Sequence, residues 1–106
     1  MLSYKKIGTG YPLVLIHGYL GGQSMWKFQE ELKNDYDLIM PSLAGYGESS
    51  HMVAPSTIKE NANQVLELLN YLQIDKFNLL GHSMGGMIVQ EMAALYPERI
   101  NKLICF

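Results

Sequence analysis

Residues 81–85 read Gly-His-Ser-Met-Gly, a serine with glycines two positions before and two after it. This G-x-S-x-G spacing is that of a sharp strand-to-helix turn, which holds its serine strained and exposed at the top of a sheet, poised to attack a carbonyl carbon. Gly81 and Gly85 fall where strand and helix nearly touch and a Cβ would collide, and Gly86 is expected to add clearance. The helix opening at Met84 turns that residue's amide, with the helix dipole behind it, toward a developing oxyanion. Three fixed positions in five also suit a glycine-rich turn with a solvated serine. Context favours the reactive reading: Phe77 to Leu80 precedes the motif as a buried strand, and Met84 to Tyr96 follows it as a helix stopped near Pro97.

A second group, His17-Gly18-Tyr19, follows the apolar run Leu13 to Ile16. Such a run is a strand buried on both faces, and in a parallel sheet its carboxyl end shares a rim with Ser83. The amide of Tyr19 is therefore the expected second oxyanion donor, with Gly18 in support, while His17 is expected to order the loop rather than transfer protons. His82 adjoins the nucleophile but leaves the turn in another direction, which gives it scaffold duty. A serine nucleophile also needs a base, and in this arrangement an acid and then a histidine follow it along the chain. Beyond Ser83 lie Glu91 and Glu98 but no histidine. Glu91 falls about 12 Å along the helix, facing away from the hydroxyl. His51, in a polar loop, has nothing to orient its ring. The chain is thus expected to carry a nucleophile and an oxyanion hole without acid and base, and to be nearly inactive in isolation.

Positioning these groups requires strands that alternate with helices. Strand signals lie at Leu2 to Ile7, Leu13 to Ile16, Tyr36 to Met40, Phe77 to Leu80 and Leu103 to Phe106. The break Gly8-Thr9-Gly10-Tyr11-Pro12 is of the kind that joins hairpin strands, and Ser42 to Ser50 forms a long polar loop. Ser24 is placed to cap a helix to about Lys33, with Met25, Phe28 and Leu32 on one side. Thr57 and Glu60 make a capping box for a helix running to about Tyr71. The order β-β-α-β-α-β-α-β predicts an α/β fold, a mostly parallel sheet with helices on both faces. The run Leu103 to Phe106 is an open apolar edge, which invites a homo-oligomer or a complementing chain.

Composition sets the outer bounds. At 106 residues and 12.0 kDa a second domain is excluded, and 48% hydrophobic with 17% charged residues excludes disorder. The formal charge is −2 and Lys5-Lys6 is the one adjacent basic pair, so neither nucleic acid nor a membrane surface is an expected partner. No signal-like segment or membrane-length apolar run occurs, and a lone Cys105, expected as a buried small hydrophobe, suits a reducing, cytoplasmic setting. Gly8-Thr9-Gly10 lacks a dinucleotide or P-loop pattern. His17, His51 and His82 lie far apart in sequence, so no cofactor and no metal is expected.

Three segments, Leu13 to Gly18, Pro41 to Ser49 and Leu79 to Gly86, resemble the α/β-hydrolase fold superfamily in order and spacing over essentially the whole chain. The match departs at Ser42 and Ala44, where the family commonly carries an acidic and a basic residue. The resemblance implies a three-layer sandwich, present as a single partial domain over residues 1–106 that lacks the lid and carboxyl-terminal strands. It implies hydrolysis or transfer of a small acyl substrate, an ester, thioester or amide, through an acyl-enzyme on Ser83. Haloalkane dehalogenases and epoxide hydrolases resemble the chain too, but they use an aspartate nucleophile. The alternative is a non-catalytic truncated scaffold that binds a partner or ligand through its open edge.

Overall fold

The computed structural model describes residues 1–19 and 21–106, leaving aside Leu20 and the side chains of Gln23 and Phe28. Its strands are β1 (Tyr4–Gly8), β2 (Tyr11–Ile16), β3 (Tyr36–Pro41), β4 (Phe77–Gly81) and β5 (Ile100–Cys105), and its α-helices are α1 (Ile58–Tyr71) and α2 (Met84–Leu95). The sheet order is β1-β3-β2-β4-β5. All neighbours are parallel except β1, which runs antiparallel to β3.

β2 lies at the centre, and its unbroken apolar run is explained by cover on both faces. Val14 and Ile16 point into a core shared with Val65, Leu68 and Leu69 of α1 and Ile88, Val89 and Met92 of α2. Leu13 and Leu15 point the other way, onto Trp26, Leu38 and Met40. Each such fully buried side chain contributes about 1.5–3 kcal/mol. α1 begins where the sequence places it: the Thr57 hydroxyl accepts from the Glu60 amide at 3.1 Å. No helix among the described residues is long and apolar enough to cross a membrane.

Four local expectations are corrected. β1 does not form a hairpin with β2, because both edges of β2 are taken by β3 and β4. The link between them instead lies against the start of β3, where the Thr9 amide donates to the Lys33 carbonyl at 3.1 Å and Gly8, at φ 104°, leaves no room for a Cβ beside Lys33 O, 2.6 Å away. The segment after β2 is a 3-10 helix, Gln23–Asn34, with Gly22 rather than Ser24 before it and no side-chain cap. Its anchor is the buried Trp26, whereas Met25 is half-buried and Leu32 exposed; the expected place of Phe28 on that face lies outside the described residues. β5 starts at Ile100 rather than Leu103, since Asn101 and Lys102 sit exposed on an edge strand and break the apolar signal. Cys105, expected to be buried, is exposed on that strand.

Candidate active site

β4 ends at Gly81 and α2 begins at Met84, so the chain reverses within His82 and Ser83. That reversal puts Ser83 at φ 57° and ψ −118°, in the region that side chains rarely adopt. The turn is held on every side by backbone bonds. The His82 amide donates to Ile16 O at 3.1 Å, Ser83 N to Phe106 O at 2.7 Å, Gly85 N to His82 O at 2.9 Å and Gly86 N to Ser83 O at 2.8 Å. Ser83 itself is exposed. A carbonyl brought to it meets the opening of α2, and among the described residues the amides of Met84 and Tyr19 have no protein acceptor.

The glycines are explained one by one. A Cβ on Gly81 would strike the Gly85 carbonyl, and one on Gly85 would strike the carbonyls of Ile16 and His17. A Cβ on Gly18 would lie 2.9 Å from both His82 O and Ser83 Cβ. The loop after β2 is therefore seated directly on the serine turn, and Gly18 faces Ser83. Gly86 differs from expectation: its nearest neighbour would be Cys105 Cβ at 3.6 Å, an ordinary contact, so it supplies no needed clearance.

His17 is fully buried. Its Nδ1 lies 2.8 Å from Gly18 O, and its Nε2 lies 2.9 Å from the Leu43 amide. Burial pushes its pKa below the ordinary 6.5, partly opposed by the bond to Gly18. Its ring meets the edge of Tyr46 at 5.7 Å, and Tyr46 in turn meets Tyr19 at 5.9 Å. His82 packs its ring on Phe106 at 5.0 Å, and its Nδ1 is buried without a partner among the described residues. His51 is exposed in the loop before α1, Glu91 lies half-buried along α2, and Glu98 is in the 3-10 turn beyond that helix. Where the resemblance departs, the Ser42 hydroxyl donates to Glu48 at 3.2 Å and Ala44 is buried in the core.

Three contributors escaped the sequence reading: Leu43 and Phe106, which act through backbone atoms that no side-chain pattern marks, and Tyr46. Tyr46 had a signal, an aromatic residue between Gly45 and Gly47 in the long polar loop after β3.

With this geometry, the chain belongs to the alpha/beta hydrolase fold family, which it matches over residues 11–105. It is 39% identical over 106 residues to the dihydrolipoyllysine-residue acetyltransferase component of an acetoin cleaving system from Pseudomonas putida, covering 97% of this chain and 29% of that protein. A solved thermophilic esterase from Thermogutta terrifontis superposes with a TM-score of 0.92 at 36% identity, covering 98% of this chain and 39% of the esterase. The epoxide hydrolase CorEH superposes with a TM-score of 0.88 at 30% identity, over 98% of this chain and 37% of that one. The chain thus spans well under half the length of these relatives.

Proposed function

We propose that this chain carries the nucleophile and oxyanion-binding part of a serine hydrolase or acyl-transfer site. The observation that carries the reading is the strained, exposed Ser83 at the start of α2, facing Gly18 across the β2 loop. Ser83 Oγ attacks the carbonyl carbon of a small ester, thioester or amide. The carbonyl oxygen takes up charge against the amides of Tyr19 and Met84; the bond to the alcohol, thiol or amine then breaks, that group leaving with the proton taken from Ser83, and the acyl group on Ser83 Oγ passes to water or a second acceptor as the serine hydroxyl is restored. The hydroxyl proton passes to a histidine supplied from outside these residues, by further sequence or by a separate chain. His17 is unsuited because both ring nitrogens are occupied. His82 is turned onto Phe106, and neither glutamate beyond Ser83 lies at the turn.

Hydrolysis of p-nitrophenyl acetate by the complete gene product tests the reading. Ser83→Ala lowers turnover by about 10⁴-fold or more if Ser83 is the nucleophile. A variant with unchanged turnover refutes it. The non-catalytic alternative draws support from β5, where Ile104 and Phe106 are 54% and 63% exposed on an open edge. That reading expects a defined oligomer, and no esterase activity above the Ser83→Ala control.

A further inference from the structure

We propose that His17 is a positioning residue, a neutral imidazole that ties the loop carrying the Tyr19 amide to the loop after β3 and releases it when Nε2 takes up a proton. The inference rests on the reading of Tyr19 as an oxyanion donor.

The two ring contacts fix the tautomer. A carbonyl only accepts, so the 2.8 Å contact to Gly18 O requires a hydrogen on Nδ1. An amide N–H only donates, so the 2.9 Å contact from Leu43 requires a lone pair on Nε2. One neutral tautomer satisfies both. Protonation sets N–H against N–H inside a fully buried site, where losing the bond carries the cost of a buried unpaired donor.

The tie reaches the functional amide by contact. From Leu43 the path runs through the His17 ring to the edge of Tyr46 and on to Tyr19. The titratable groups around it are few. The β3 loop brings Tyr46 and, in the turn beyond, Glu48, which accepts from Ser42. The serine turn brings His82, packed on Phe106. The loop's own contribution is Tyr19, and the first turn of α2 holds no acidic residue.

Because the folded imidazole has its affinity for protons lowered by burial, the released state protonates first as pH falls. The tie is intact above the ordinary value of 6.5 and is lost as pH drops from there through the lower folded value.

Amide hydrogen exchange and ring ¹⁵N shifts on the complete gene product test this, with fluorophosphonate labelling of Ser83 read in parallel. The wild type should show the hydrogen on Nδ1, and its Leu43 amide protection should fall about tenfold or more from about pH 7.5 to about pH 5. Labelling at Ser83 should slow over the same interval. His17→Gln, whose amide oxygen accepts from Leu43 without titrating, should keep that protection across the range, whereas His17→Ala should lack it at both ends. If His17→Ala does not fold, the wild-type pH series and His17→Gln decide the matter. Leu43 protection that is flat with pH in the wild type overturns the proposal. So does a tie that opens with no change in labelling beyond that of His17→Gln. A wild type that never labels at Ser83 instead overturns the nucleophile reading, and Leu43 exchange still decides the tie.

Discussion

Ser83 holds a conformation that costs about 1–3 kcal/mol for a residue with a Cβ, and the backbone bonds to Ile16 and Phe106 keep it there. Replacing it by glycine should remove that strain. Ser83→Gly is expected to raise the unfolding free energy by about 1 kcal/mol, seen as a higher Tm, while abolishing turnover. A lower Tm would mean that the turn is relaxed as built. The strained turn at Ser83 was legible in the sequence because strain of this kind demands glycines at fixed offsets, so side-chain types betray the backbone. The support of His17 by Leu43, and of Ser83 by Phe106, was not legible. Both pass through backbone groups that every residue carries, and only the register of β3 and β5 decides which residue provides them.

At the scale of elements, the contact between α2 and the end of β2 is the tightest constraint on the site. Gly85→Ala drives a methyl into the carbonyls of Ile16 and His17 and should cost about 3 kcal/mol, with loss of activity. Gly86→Ala, one residue further, meets no close neighbour and replaces a helical glycine. It should be neutral or stabilising by up to about 1 kcal/mol, with activity retained. Thermal unfolding of the pair checks this, and equal losses from both would show that α2 is not seated as described. An element buried on both faces, such as β2, was readable because cover from two sides leaves an unbroken apolar run. Edges were not. Asn101 and Lys102 hid the start of β5, and β1 was free in sequence to pair with β2 until the sheet order filled that position. The 3-10 geometry of Gln23–Asn34 was hidden because its anchor, Trp26, falls one position off the helical face that Met25 and Leu32 suggested.

Across the whole molecule, one side chain joins the sheet's far edge to the helical layer. Arg99 donates to Asp75 O at 2.8 Å, Ile74 O at 2.6 Å and Asn70 Oδ1 at 2.9 Å, and lies 5.6 Å over the Phe77 ring. It thereby fixes the end of α1 and the start of β4 to the turn before β5. Arg99→Met should cost about 2 kcal/mol of stability. It should leave the labelling rate of Ser83 in the folded protein unchanged, because these bonds lie at the opposite end of α2 from Ser83; a slowed rate in folded protein would show that this clamp reaches the site. In the proposed function, Ser83 at the carboxyl end of β4 is a nucleophile that requires a base from elsewhere. Peptide mapping after exposure to a fluorophosphonate tests it most directly. The expected result is a single adduct on Ser83 in the complete gene product, formed about 10³-fold or more slowly in the 106-residue chain alone. An adduct on a different residue, or equal rates in the two, would contradict it.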